Sequence, residues 1–446
     1  MGRRGGSSIL PFAAIRHSLA SAWRVSGRPV SRAPRALIAR NITFPTTIAM
    51  KITGIETLRI DEFPNLLWVQ IHTDQGLIGL GESFYGPDSA EAHIHSIIAA
   101  YLLGQNPLLI DRHHANLIGY VGFNGSSAEQ RGRSAVDIAL WDLWGQACGQ
   151  PIHQLLGGAV RDDIRVYNTC AGYRYVRHKP VQGTANFGLG QSEGPYEDLD
   201  AFLHRADELA GSLLGMGITG MKIWPFDFAA EASNGAYISA PDLKKALEPF
   251  AKIRKAVGDK MDVMCELHAL WNLPAAKGIV HALQPYAPLW IEDPVFMDQL
   301  ESLGELQSGT HQTIATGETL GGRAQYKDLF ERHGAGMAIM DIAWCGGISE
   351  ARKVAAMAEA WHTSVAFHDC TGPVVLAAST HLALNARNCF IQEIVRAFYY
   401  GWYGELVTAL PPIQNGRITV PPGPGLGLKL NPDRFKAKDV RRRMSK

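Results

Sequence analysis

Three glutamates share a distinctive placement. Glu266, Glu292 and Glu318 each close a short apolar stretch (DVMCE, LWIE and TIATGE) and recur every 26 residues. If those stretches are neighbouring parallel strands, about 5 Å apart, the three carboxylates converge on one small volume. Uncompensated, they repel; a hard divalent cation resolves the conflict. An all-oxygen donor set suits Mg2+, which keeps positions for water or substrate oxygens. Asp341 (MAIMD) and His368 (SVAFH) close the next two stretches. A carboxylate beside an imidazole fixes its tautomer and raises its basicity, so this pair is predicted to be a base and its orienter. Asp369 follows directly, but strand alternation turns it away. Spacing i, i+2 places Lys222 with Trp224, and Glu266 with His268, on one face. Lys222 can serve as a base, as an anchor for a substrate carboxylate or as counter-charge to the acids. His268 is a candidate second acid or base. Glu393, closing FIQE, is a hydrogen-bond partner for a substrate oxygen or a structural acid. Asn168, closing the earlier stretch DIRVYN, joins Trp224 and Glu393 as a candidate substrate contact.

Such residues need a scaffold that brings strand ends together. Lys222 and the six ionisable residues from Glu266 to Glu393 each end a short apolar strand followed by an amphipathic helical stretch. The intervals after Glu266 are 26, 26, 23, 27 and 25 residues, which suits one βα unit per step. With 163–168 as the first strand, eight units result, implying a closed (β/α)8 barrel with its site at the C-terminal strand ends. A doubly wound dinucleotide fold is excluded, because Gly76, Gly79 and Gly81 fall in a hairpin and not at a helix start. Ahead of the barrel, 51–82 reads as two antiparallel strands around an Asp74-Gln75-Gly76 turn. Three helices follow, the last being RSAVDIALWDLWGQAC, closed by Gly149. Loops at 174–197 and 225–240, rich in Gly, Ser and aromatics, are candidates to cover the barrel mouth.

Composition bounds the rest. The chain has 446 residues, 46% hydrophobic and 19% charged, enough to bury a large core and too apolar for global disorder. Forty-three basic against 42 acidic residues give no electrostatic case for nucleic acid or membrane as partner. No apolar run reaches the roughly 18 residues of a membrane span. The charge is unevenly placed: residues 1–49 hold eight arginines and no Asp, Glu or Lys. Removing those eight from 43 leaves 35 basic against 42 acidic groups, a net of −7. This leader reads either as a mitochondrial-type transit segment or as an over-extended start before the strand pattern that opens at Met50. An intracellular protein is expected, cytoplasmic or, with a genuine transit segment, mitochondrial. The six cysteines lack metal-ligand spacing and read as reduced thiols.

Glu266, Glu292, Glu318, Asp341, His368 and Glu393, with AVDIALWDLWGQACGQPIHQLLGG and DIAWCGGISEA, resemble the mandelate racemase/muconate lactonizing enzyme group of the enolase superfamily. The resemblance spans 50–446. It implies an α+β capping domain at 50–160, a modified TIM barrel, (β/α)7β, at 161–400, and a segment 401–446 packing back on the cap. It assigns Glu266, Glu292 and Glu318 to Mg2+, His368 and Asp341 to the base dyad, and Glu393 to the last-strand acid. Cap loops around Glu62–Asn65 and Phe84–Tyr85 would close on substrate, making Tyr85 a further contact. Relatives of this kind tend to assemble, so a homo-oligomer is expected.

Two departures from the group's pattern bear on the reaction. Racemases of the group carry Lys-x-Lys on the second barrel strand; here the stretch is Lys222-Ile223-Trp224, and the second lysine is missing. The third-strand ligand, usually Asp followed by x-Asn in racemases, is Glu266 followed two residues later by His268, similar to acid-sugar dehydratases. The leading expectation is therefore a Mg2+-dependent sugar-acid dehydratase. His368 takes the α-proton to give an enediolate, His268 protonates the departing 3-hydroxyl so that water leaves, and the resulting enol ketonises to a 2-keto-3-deoxy acid. Lys222 stays a candidate second acid or base. A racemase or epimerase acting through the same enediolate, and a non-catalytic metal- and carboxylate-binding relative, are the alternatives.

Overall fold

The computed structural model describes residues 50–117, 127–177, 179, 181, 183–191 and 193–446; the Arg-rich leader, with both expectations about it, lies outside the described residues. Residues 51–84 form three antiparallel strands, not two: β1 (Ile52–Ile60), β2 (Leu66–Thr73) and β3 (Ile78–Phe84). β1 is buried at eight of its nine positions, so the polar–apolar alternation that marks a one-sided strand is weak there. The long helix Ala128–Cys148 lies flush on β3. A Cβ on Gly79 would stand 2.1 Å from the Ala139 carbonyl oxygen, and one on Gly81 1.8 Å from that of Ala135. These glycines permit close approach of helix to strand.

The second domain is built from β4 (Ile164–Thr169), β5 (Gly220–Ile223), β6 (Asp262–Glu266), β7 (Ile291–Glu292), β8 (Ile314–Thr316), β9 (Met337–Met340), β10 (Ser364–Phe367) and β11 (Gln392–Ile394). Strands β4 to β10 pair parallel in chain order, and β11 pairs parallel with β4. A parallel bridge between Val365 and Cys389, and the Gln392 Nε2 bond to the Phe367 carbonyl at 3.2 Å, join β10 to the last strand and close the ring. Seven strands are followed by barrel helices. After β11 come only the one-turn helices Arg396–Tyr399 and Tyr403–Leu406, so the eighth barrel helix is replaced. The hairpin β12 (Ile413–Gln414) and β13 (Arg417–Ile418) then pairs with the start of β4. Finally β14 (Val440–Ser445) pairs antiparallel with β1, giving the first sheet the order β14-β1-β2-β3. The fold is a modified TIM barrel with an N-terminal α+β cap.

The helix that carries the first motif of the family resemblance and the loop that carries the second meet in space. Gln130 Nε2 donates to the Cys345 carbonyl at 2.8 Å, and the Gly346 N–H to Ser134 Oγ at 3.0 Å. The Ser349 N–H reaches Asp137 Oδ2 at 2.9 Å, and Trp141 Nε1 reaches Ser349 Oγ at 2.8 Å. Cap helix and barrel loop are thus held in register by buried polar pairs, each costly to leave unmade. All six cysteines are free, five buried and Cys148 exposed. Among the described residues no helix is long and apolar enough to cross a membrane.

Candidate active site

Alternation along the barrel strands sorts their side chains into two layers. Tyr167, Met264, Trp290, Ala315, Met337, Ile339, Ala366 and Ile391 pack as a separate apolar plug, with Tyr167 edge-on to Trp290 at 5.2 Å. Two residues further along, the same faces present Thr169, Glu266, Glu292, Asp341, His368 and Glu393. The plug is a dry floor for a charged ceiling. Glu318 lies just past the end of β8; Gly317, at φ 119, bends the chain there.

One carboxylate oxygen from each of Glu266, Glu292 and Glu318 lies within 4.8 Å of the other two. Lys222 Nζ stands 2.6 Å from Glu292 Oε1, 3.0 Å from Glu393 Oε1 and 3.1 Å from Glu266 Oε2. Of the three roles open to Lys222, these distances favour counter-charge. One ammonium offsets one negative charge among four clustered carboxylates, and a compact all-oxygen donor set with excess negative charge fits a hard divalent cation. Glu266 accepts the N–H of Leu267 and of His268 at 3.0 and 2.7 Å. Burial opposes its ionisation, but Lys222 and His268 outweigh that and hold it down at about 2. Glu292, fully buried with other carboxylates around it, is pushed up despite Lys222. Trp290 Nε1 donates to its Oε2 at 2.7 Å.

His368 Nδ1 lies 2.7 Å from Asp341 Oδ2 and its Nε2 3.5 Å from Glu318 Oε2, with the Trp344 ring 5.2 Å away. Burial acts to discharge the imidazole, but Glu318, Glu393 and Asp341 raise it well above the usual histidine range. Strands β6 and β10 are four apart in the ring of eight, so His268 stands across the mouth from His368. His268 Nδ1 lies 2.7 Å from Asp227 Oδ2, and its ring meets Trp224 edge-on at 5.7 Å. Burial again favours the neutral ring, yet Asp227 and Glu266 prevail and lift it to about 9. Glu393 accepts from the Thr169 hydroxyl and, at 2.8 Å, from the Asp369 N–H. Asp369 itself turns outward to Tyr403, whose hydroxyl donates to its Oδ1 at 3.2 Å.

These groups open on one narrow cleft, walled by Phe84, Tyr85, Tyr175, Trp224, Trp344 and Cys370 above Thr169, Lys222, Glu266, His268, Glu318 and His368. Trp224 and Tyr85 both line this cleft. Asn168 does not. It pairs in register with Met221 on the helix-facing side, while Thr169 pairs with Lys222 on the lumen side. The Asn168 amide is used by Asp198 at 2.9 Å and by the Arg396 N–H at 2.7 Å, so it is a buried structural link and not a substrate contact. The cap loop Glu62–Asn65 grips a barrel loop instead of lining the cleft: Asn65 Nδ2 donates to the Val176 carbonyl at 2.7 Å, and Arg177 reaches Glu62 at 2.7 Å. Sequence reasoning missed Thr169, Trp344 and Asp227. Only the register against Lys222 points to Thr169, whereas Trp344 sits inside the DIAWCGGISEA motif. Asp227 has no periodic signal.

A closed (β/α)7β barrel under an α+β cap, with acids and bases at its strand ends, defines an enolase-type enzyme. Residues 42–157 match the family Mandelate racemase / muconate lactonizing enzyme, N-terminal domain, and 205–434 match Enolase C-terminal domain-like. The chain belongs to the mandelate racemase/muconate lactonizing enzyme group of the enolase superfamily. It is 31% identical over 390 residues to a D-galactonate dehydratase of Ralstonia nicotianae, covering 86% of this chain and 92% of that protein. A D-galactonate dehydratase of Pectobacterium atrosepticum is 30% identical over 391 residues, with the same coverage. Among solved structures, an enolase of the mandelate racemase subgroup from Agrobacterium tumefaciens superposes with TM-score 0.78 at 53% identity, covering 89% of this chain and 98% of that one. An enolase protein from Sargasso Sea environmental sequencing gives TM-score 0.79 at 42% identity, covering 89% and 99%.

Proposed function

We propose that this enzyme is a hydro-lyase that dehydrates a sugar acid, an aldonate or aldarate, to a 2-keto-3-deoxy acid. The observation that carries the reading is a pair of histidines, from strand ends four apart in the ring, lining one cleft with the clustered glutamates, each histidine held through Nδ1 by a buried aspartate. Glu266, Glu292 and Glu318 would hold Mg2+. Bound there, a divalent cation supplies Lewis acidity toward the substrate carboxylate and offsets the negative charge that keeps His368 protonated. His368, oriented by Asp341, accepts the α-proton at Nε2. His268, charged at neutral pH, gives its proton to the departing 3-hydroxyl. Base and acid on opposite sides of the cleft suit removal of the two groups from opposite faces. Lys222 balances the carboxylates, and Trp224 occupies the position where a racemase would carry its second lysine.

Two opposed bases also suit epimerisation, in which the second histidine returns a proton to the other face. The dehydratase reading is favoured by the relatives quoted above, named for D-galactonate dehydration. Those relatives come from bacteria, which gives the mitochondrial alternative no support; an intracellular location remains part of the proposal. The test is a screen of C5 and C6 sugar acids with Mg2+, D-galactonate first, reading keto acid with semicarbazide. It is followed by His268→Asn with the substrate found. The variant is expected to lose keto-acid formation about 10²–10⁴-fold while still exchanging the α-proton with deuterated water. Dehydration at the parent rate would remove His268 as the acid. Loss of both dehydration and exchange would make His268 the base.

A further inference from the structure

Asp227 lies outside every strand end. It is the first residue of the short helix Asp227–Ser233 in the loop after β5, yet its side chain is buried. Its Oδ2 stands 2.7 Å from His268 Nδ1, and its Oδ1 is buried without a hydrogen-bond partner. A carboxylate so placed serves the fold poorly, because one of its oxygens is desolvated and unused. His268 is itself held in an uncommon backbone state, at φ 48, with Ala269 following at φ 55. Such left-handed non-glycine residues persist where surrounding contacts over-determine them. Here the contacts are the His268 N–H bond to Glu266 Oε1 at 2.7 Å, the Trp224 ring against the imidazole, and Asp227. With Nδ1–H donating to Asp227, Nε2 is the remaining ring nitrogen, and His268 is among the residues that line the cleft.

We propose that Asp227 is a positioning residue for His268: by accepting the Nδ1–H it holds the rotamer that delivers the Nε2 proton to the leaving hydroxyl, and it fixes the Nδ1–H tautomer left once that proton has gone. The protein then carries two His–Asp dyads, His368–Asp341 on β10 and β9, and His268–Asp227 on β6 and the loop after β5. The first serves the α-carbon and the second the β-carbon. This inference rests on the reading of His268 as the acid.

The test compares Asp227→Ala, Asp227→Asn and His268→Asn in the full chain with Mg2+. Asp227→Ala is expected to lower kcat for keto-acid formation at least about tenfold, as removal of an imidazole's hydrogen-bonding partner commonly does. KM and α-proton exchange should stay within about twofold of the parent. Asp227→Asn, whose amide oxygen still accepts from Nδ1, should recover part of the loss. In the His268→Asn background, Asp227→Ala should change nothing further. Long-range proton–nitrogen correlation on histidine-labelled protein, recorded at a pH where the His268 ring is neutral, should show it protonated at Nδ1 in the parent, a signature that shifts in Asp227→Ala. Parent-level kcat in Asp227→Ala, additive losses with His268→Asn, or an unchanged His268 signal would each overturn the proposal. Loss of exchange and of magnesium affinity together would show a merely structural role and overturn it as well. If the parent dehydrates no sugar acid, the functional reading fails, while the nitrogen signature still decides whether Asp227 sets the tautomer.

Discussion

Glu82 is the acid on which cap and barrel meet. Fully buried on β3, it accepts from Trp68 Nε1 at 2.7 Å and from the N–H groups of Val374 and Val375 at 3.1 and 3.0 Å, in the first turn of helix Pro373–Asn385. That helix follows the His368 strand, so the bond pattern ties the cap to the catalytic end of the barrel. Burial outweighs the three donors and pushes the carboxyl up from 4.5 to about 8. Below pH 4.5 both folded and unfolded chains hold this proton, and the group makes no difference to stability. Between 4.5 and 8 the unfolded chain has released it and the folded chain has not, so stability falls as pH rises. Above 8 the loss is constant. Integrated from pH 5 to 7.5, the linkage amounts to about 3 kcal/mol. Glutamine at that position does not titrate. Glu82→Gln therefore carries a pH-independent penalty of about 1–3 kcal/mol from the mismatched Trp68 donor, but gains about 3 kcal/mol on the parent between pH 5 and 7.5. With an unfolding entropy near 2.1 cal/mol/K per residue over about 400 residues, that gain is about 4 °C in Tm. Paired calorimetric melts of parent and variant at pH 5, 6, 7 and 7.5 read it directly. A Tm difference that stays flat would refute the reasoning. It would mean that three N–H donors and the helix N-terminus overcome burial and keep the carboxylate charged.

Other perturbations have equally definite outcomes. Glu292→Gln replaces one of three clustered anionic oxygens and should weaken magnesium binding, measured by calorimetry on a folded protein; unchanged affinity would misplace the metal site. His381, buried between the His153 turn and the Leu426 carbonyl, is held down at about 3 by burial. Its unfolded form gains a proton below 6.5, so stability falls with acidification by about 2 kcal/mol from pH 8 to 5. His381→Asn should flatten that part of the melting curve against pH. Asp198→Ala strands the buried Arg396 guanidinium and frees Asn168, for a loss of about 3–5 kcal/mol in denaturant unfolding, with the cleft residues untouched.

How much of this was legible beforehand depends on what kind of signal each residue carries. The barrel could be read because burial imposes a short apolar strand and an amphipathic helix on every unit. A recurrence of 26, 26, 23, 27 and 25 residues, with an ionisable residue at each end, survives in one dimension. Glu266, Glu292, Glu318, Asp341, His368 and Glu393 were found by that rule alone. Asn168 was placed by counting to the end of a predicted strand. The choice between it and Thr169 needed the register against Lys222, because a shift of one residue exchanges lumen for helix layer. Asp227 was out of reach. It lies 41 residues from His268, in a loop whose path follows from how Trp224 and Phe226 bury, and no spacing rule links the two. The Lys222 contacts to Glu266, Glu292 and Glu393 likewise join β5 to β6, β7 and β11, and the last of these depends on ring closure, which brings β11 to β4. Period and composition settle what each strand must bury. Which side chains finally touch is decided where several strands and a loop pack at once, and that is a property of the closed barrel.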